Sequence, residues 1–197
     1  GGSGIPPLTE WLMTRIDAVA GLRGPRPLTF GDLWQAPVPS AIAGTMKGNE
    51  GRSIDFRAVT TCVSFSRPYE LPFTERIFAF DPEEWKRYFP KPVMDYLIEE
   101  ANRIDSATLK RDGKLPLPIG EAMPVVVAAR MSLSFPGLFS MIPLYAIDYN
   151  AEKQADDRHP MMKVWFSDGG ITSNLPIHRF DALFPRWPTL GINLQYT

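Results

Sequence analysis

The chain has 197 residues, of which 44% are hydrophobic, so it is long enough to bury the core of about one domain. Its 21 Lys and Arg nearly balance its 22 Asp and Glu, and the formal charge of −1 argues against a nucleic-acid-binding protein. The single cysteine, Cys62, excludes an internal disulfide, and two histidines, His159 and His178, are too few for a histidine-based metal centre.

The first third of the chain predicts two helical segments and one strand. Residues 1–4 are Gly- and Ser-rich and resemble a flexible linker, so the predicted domain covers residues 5–197. The apolar spacing over residues 8–20 predicts a helix with Thr9 as its N-cap. Residues 28–34 form about one helical turn in this prediction. The β-branched residues at 54–65 predict a strand, followed by a turn at Arg67 and Pro68.

The remainder predicts strands that alternate with helices. Asp81 followed by Pro82 has the order of an N-cap and a first helical residue. The valine-rich segment at 125–132 fits either a helix or a buried strand. The other predicted strands are residues 77–80, 143–148, 163–166 and 189–194, and the other helices are residues 93–103 and 176–183. This alternation predicts an α/β fold of three layers, with a mostly parallel central sheet flanked by helices.

One acidic residue stands where a functional group would be expected. The apolar segment that precedes Asp168 predicts a strand, and Gly169 and Gly170 follow the acid directly. Functional side chains collect just beyond the carboxyl ends of strands in open α/β sheets, and glycines let the backbone turn tightly there. An Asp-Gly pair is also a common turn, so these three residues alone favour a simple turn.

A second segment favours a functional site at Asp168 over a simple turn. Arg130, Ser132 and Pro136 form an Ala-x-Arg-x-Ser-x-x-x-Pro pattern about 30 residues before the acid, and Asn174 and Pro176 follow the acid. Together with the Asp-Gly-Gly segment, this arrangement resembles the patatin-like phospholipase family of lipid acyl hydrolases. The resemblance is firm over residues 120–197 and weaker over residues 5–65.

The resemblance implies ester hydrolysis by a Ser–Asp dyad, with Asp168 as the acid/base member and Gly169 and Gly170 as the turn that fixes it. The family's serine stands in a Gly-x-Ser-x-Gly elbow, and no serine of this chain has that frame. The chain is therefore expected to be inactive alone and to act with an upstream segment that carries the nucleophile. This chemistry requires neither a metal nor another cofactor.

The resemblance also indicates what the chain would bind. Phe135 and Phe139 belong to an apolar cluster that could contact the acyl chain of a lipid or other acyl-ester substrate, although such a cluster is more often core. A non-catalytic lipid-binding or protein-interaction module is the alternative function.

The longest charge-free run, residues 131–147, is interrupted by prolines and is shorter than the roughly 20 residues of a membrane-spanning helix. No signal peptide is visible, and a cytoplasmic or peripheral membrane location is expected.

Overall fold

The computed structural model describes residues 7–22, 24, 26–38, 52–154 and 156–172. The predicted elements at residues 176–183 and 189–194, together with Asn174, Pro176, His178 and the predicted linker, lie outside the described residues. The described part contains one six-stranded sheet with the order β2-β1-β6-β5-β3-β4. Its strands are β1 (Ala58–Cys62), β2 (Arg67–Leu71), β3 (Ala79–Phe80), β4 (Leu115–Pro116), β5 (Ile142–Ile147) and β6 (Met161–Asp168).

The prediction of a mostly parallel sheet is wrong, because every strand pair in the described sheet is antiparallel. Parallel neighbours need a long crossover, usually a helix, whereas antiparallel neighbours can be joined directly. Residues 148–154 and 156–160, the described part of the connection from β5 to β6, contain no helix, and a short 3₁₀ turn (Val63–Phe65) connects β1 to β2. The described architecture is therefore an antiparallel sheet with few helices and not a three-layer α/β fold.

The helices agree better with the sequence. They are α1 (Leu8–Val19), α2 (Phe30–Trp34), α3 (Pro82–Trp85), α4 (Lys91–Arg103) and α5 (Val125–Ser132). Asp81 caps α3 as predicted, since its carboxylate accepts hydrogen bonds from the backbone N–H groups of Glu83 and Glu84. The predicted cap of α1 is wrong, because the N-cap lies two residues earlier: Pro7 is the N-cap and Thr9 is buried within the first turn.

The segment at 54–65 is a strand over only five residues. β1 ends at Cys62 and the 3₁₀ turn follows, closed by Ser66 in the left-handed region at φ 53°. The predicted turn at Arg67 and Pro68 is therefore misplaced, because both residues already belong to β2. Cys62 is fully buried in β1, and burial raises the pKa of its thiol.

The sheet around β6 has one buried face and one more exposed face, since Val164 and Phe166 are fully buried whereas Lys163 and Trp165 are exposed. Helix α5 packs against β1 and β6 on one face, and this resolves the ambiguous valine-rich segment as a helix. Phe166 points to the buried face, where its ring lies within 5.8 Å of the rings of Tyr69, Phe73 and Phe78. Since side chains alternate along a strand, Ser167 points to the face opposite Phe166, and the half-buried Asp168 points to the same face as Phe166.

Candidate functional site

Asp168 is the last residue of β6 and stands between the sheet and a 3₁₀ turn (Gly169–Ile171). Its side chain is half-buried, and its Oδ1 accepts a hydrogen bond of 2.6 Å from the backbone N–H of Gly170. This bond fixes the direction of the carboxyl group relative to the strand. Among the described residues, none donates a hydrogen bond to the other oxygen, Oδ2.

Gly169 is required by the close approach of β1 and not only by the turn. A Cβ atom at this position would lie 2.3 Å from the carbonyl oxygen of Val59, and real Cβ atoms do not approach backbone that closely. Gly169 is buried, whereas Gly170 is exposed and contributes its N–H to the acid. In the predicted structural turn, Gly169 thus allows the close approach of β1, and Gly170 orients the Asp168 carboxylate.

The two segments of the sequence pattern meet at the carbonyl oxygen of Ser134. This oxygen accepts a hydrogen bond of 3.1 Å from the backbone N–H of Asp168 and one of 2.8 Å from the hydroxyl of Ser167. The segment after α5 is therefore tied directly to the strand that ends in the acid. Thr60 of β1 secures the same strand from the other side, since its hydroxyl donates to the carbonyl of Ser167 over 2.7 Å.

Arg130 holds the loop that provides this contact. Its side chain donates to the hydroxyl of Ser134 over 2.6 Å and to the carbonyl of Ser140 over 2.9 Å, near the two ends of residues 133–140, here called the apolar loop. Arg130 is 6% exposed and forms no ion pair with a described carboxylate, and burial lowers the pKa of its guanidinium. Burying a cation beside neutral acceptors costs desolvation free energy, and the hydrogen bonds from Arg130 to the loop offset that cost.

The apolar loop presents its hydrophobic side chains to solvent. Phe135 is 54% exposed, Leu138 is 73% exposed and Phe139 is 37% exposed. Internal hydrogen bonds from the N–H groups of Leu138 and Phe139 to the carbonyl of Phe135 give the loop a defined turn. The predicted ligand-contacting residues Phe135 and Phe139 are thus accessible, close in sequence to the Ser134 carbonyl that holds Asp168.

Sequence reasoning missed three polar residues of this site: Thr60, Ser134 and Ser167, all fully buried. A signal for one of them was available, since Ser134 follows Arg130 by four residues and would meet it on one helical face. No comparable signal pointed to Thr60, because its partner Ser167 is 107 positions away in the chain.

The other candidate features have separate environments. His159 is half-buried, with its Nδ1 3.0 Å from the carbonyl oxygen of Ala151. Within residues 7–38 and 52–172, as far as they are described, no group of three His, Cys, Asp or Glu side chains is placed to hold a metal ion. Across the same described ranges, no helix has the length and apolar character needed to cross a bilayer.

Comparison with known proteins finds a relative of this chain but no matching family or structure. No protein-family model matches the chain, and no solved structure matches it. The chain is 36% identical over 224 residues to a curated protein of Rhizobium meliloti (strain 1021) named RpoH suppressor. The match covers 96% of this chain and 34% of that protein, so the chain spans about a third of the relative's length.

Proposed function

We propose that this chain supplies the acidic residue of a patatin-like lipid acyl hydrolase, with Asp168 paired to a serine on a segment outside this sequence. The observation that carries the proposal is the meeting of two segments of the family pattern at the Ser134 carbonyl, more than 30 residues apart in the chain. The antiparallel sheet gives no support to the proposal, which rests on this local arrangement.

In this mechanism the serine hydroxyl loses its proton to Asp168 as its oxygen bonds to the ester carbonyl carbon. The proton then passes to the departing alcohol as the ester bond breaks and an acyl-enzyme remains. Asp168 next takes a proton from water, the resulting hydroxide attacks the acyl-enzyme, and the serine recovers its hydrogen as the fatty acid leaves. Oδ2 is the oxygen suited to the proton transfers, because Oδ1 is occupied by the N–H of Gly170.

The substrate class follows from the same proposal. A lipid ester would bring the chain to a membrane surface, and the exposed Phe135 and Phe139 would contact its acyl chain. The reaction needs no metal or organic cofactor, since the dyad and backbone donors supply the proton transfers and the charge stabilisation.

The test is an esterase assay on this chain fused to a segment that carries a Gly-x-Ser-x-Gly serine. A part of the rhizobial relative outside the match is used only where its own sequence contains such a serine. We expect hydrolysis of a short p-nitrophenyl ester by the fusion, and a loss of about 1,000-fold or more in kcat for Asp168→Asn, because asparagine cannot accept the proton.

Asp148→Asn is the matched control. Asp148 also follows a strand, and its Oδ1 accepts a hydrogen bond from the N–H two residues later, over 3.0 Å to Asn150. The control variant should keep full activity, because Asp148 lies at the other end of the β5–β6 hairpin. A fusion that folds, by circular dichroism and gel filtration, but lacks activity would contradict the proposal, as would equal losses in the two variants.

The exposed apolar loop favours a second candidate, a non-catalytic module that binds lipid or another protein. Exposed, adjacent Phe135, Leu138 and Phe139 are typical of a surface that contacts an apolar partner. Sedimentation of the chain with phosphatidylcholine vesicles tests the lipid-binding form, and Leu138→Ser should reduce the sedimented fraction. The name of the rhizobial relative describes an effect and not a reaction, so it favours neither candidate.

A further inference from the structure

A cavity lies at the hairpin end of β6, opposite Asp168. It has a volume of about 350 Å³, which is within the range of small-ligand sites. Residues 148–160 join β5 to β6 and are here called the hairpin loop. Side chains from the described part of this loop form one wall, and Ala107, Thr108 and Arg111 form another. Seven residue steps of β6 separate Met161 from Asp168, about 23 Å of strand, so this cavity is independent of the proposed dyad.

Basic side chains dominate the polar part of the cavity. Arg111, Lys153, Arg158 and His159 line it, with Asp157 as the one lining carboxylate. Lys153 pairs with Asp157 at 2.9 Å, and the Arg158 side chain is 3.6 Å from Asp156. Both pairs are solvent-exposed and therefore weak, so a stronger anion can replace them at low cost.

Arg111 differs from the other cations because no carboxylate of the described residues forms an ion pair with it. Its Nη2 donates to the backbone carbonyl of His159, which ties the guanidinium to the hairpin loop. Its Nε is buried and has no hydrogen-bond acceptor among the described residues. The cavity wall therefore holds a positioned guanidinium whose positive charge is not neutralised, and such a group attracts oxyanions.

The remaining wall indicates what the anion is attached to. Ala107, Ile147 and the ring of Tyr149 are apolar surface, and Tyr149 is 72% exposed. The Tyr149 and His159 rings lie 5.4 Å apart, which gives the opening an aromatic side. A ligand that fills the cavity must combine an anionic group with an apolar or flat portion.

We propose that this cavity binds an organic phosphate monoester, with its phosphate facing Arg111 and its organic portion against Tyr149 and Ile147. A dianionic group matches the convergence of Arg111, Lys153 and Arg158 better than a singly charged one. Either a soluble metabolite or the headgroup of phosphatidic acid presents this chemistry.

Isothermal titration of the purified chain with phenyl phosphate tests the proposal, with inorganic phosphate as the comparison that lacks the organic portion. We expect saturable binding of phenyl phosphate, weaker binding of inorganic phosphate, and a Kd raised at least about tenfold by Arg111→Gln. Arg103→Gln is the matched control, because it removes the same charge from an exposed arginine that pairs with Glu99 and Glu100 on α4. Its Kd should equal that of the parent.

A second variant keeps the test decisive if Arg111→Gln does not fold. Arg158 is exposed on the hairpin loop, so Arg158→Gln should fold normally and raise the Kd about threefold to tenfold. Competition between phosphatidic acid vesicles and phenyl phosphate would identify a lipid headgroup as the source of the phosphate. Binding of phenyl phosphate with no competition from these vesicles would identify a soluble metabolite. Absence of phenyl phosphate binding at millimolar concentration, or equal weakening by Arg103→Gln, would overturn the proposal.

Discussion

The two ends of β6 are stabilised in different ways. At the Asp168 end, Thr60, Arg130, Ser134 and Ser167 are at most 6% exposed and are joined by hydrogen bonds. At the hairpin end, the polar contacts are ion pairs between exposed side chains, such as those of Lys153 with Asp157 and Arg158 with Asp156. One strand therefore joins a buried network of hydrogen bonds to a solvated loop of exposed ion pairs.

This difference teaches how a fold can fix one end of a strand and leave the other adjustable. Buried hydrogen bonds are strong because unmaking them leaves polar groups without partners, whereas exposed ion pairs exchange readily with water and salt. The Asp168 end is thus suited to a carboxylate that must keep one direction. The hairpin end is suited to a ligand that replaces existing pairs.

Gly169→Ala should give the largest effect and tests how tightly the Asp168 end is packed. The new methyl group would meet the Val59 carbonyl oxygen at 2.3 Å, so β1 and β6 must separate. We expect a loss of at least about 3 kcal/mol in the free energy of unfolding. Urea denaturation measures it, with Gly24→Ala as control, since a Cβ at Gly24 meets nothing within 4 Å. Equal stabilities of the two variants would contradict the packing described.

Arg130→Met and Arg158→Met compare the two ends directly. Arg130→Met removes the donors to Ser134 and Ser140, so it should cost about 2–3 kcal/mol of unfolding free energy, and limited proteolysis should cut the apolar loop. Arg158→Met removes an exposed pair and should cost less than about 0.5 kcal/mol. Similar costs for the two substitutions would remove the distinction between the ends.

Local features of the fold were predictable from the sequence, whereas the pairing of strands was not. The Asp81 cap of α3 depends on neighbouring residues, and local chemistry determines it, whereas the valine-rich segment of α5 stayed open between a helix and a strand until its packing was known. The direction of β6 relative to β1 depends on contacts between residues about 107 positions apart, such as Thr60 and Ser167. The alternation of strands and helices was therefore not enough to predict a parallel sheet.

The site shows the same limit. Asp168 and its glycines could be identified because they form a contiguous pattern, and their catalytic role stays a prediction. The reason Gly169 must be glycine is the Val59 carbonyl, which no local pattern indicates. The Arg130 side chain donates to Ser134 and Ser140 of the apolar loop, and Phe135 and Phe139, which the sequence favoured as core, are exposed.

Thr60→Val examines one hydrogen bond of the buried network with little change of shape. The Thr60 hydroxyl donates to the Ser167 carbonyl over 2.7 Å, and both residues are fully buried. We expect the variant to lose about 1 kcal/mol of unfolding free energy. Thr108→Val, at an exposed position beside the cavity, is the control and should change stability by no more than about 0.3 kcal/mol. A neutral Thr60→Val would mean that this bond adds nothing to the Asp168 end.

Lys153→Met should have the smallest effect, and it measures how much an ion pair of the hairpin end contributes to the free energy of unfolding. Lys153 and its partner Asp157 have side chains that are 49% and 86% exposed, so water competes for both charges. We expect a loss below about 0.5 kcal/mol at low salt, which disappears near 1 M NaCl because the salt screens the pair. Urea denaturation at the two salt concentrations measures it. A loss above 1 kcal/mol that persists in salt would show that the hairpin end, like the Asp168 end, is held by strong contacts.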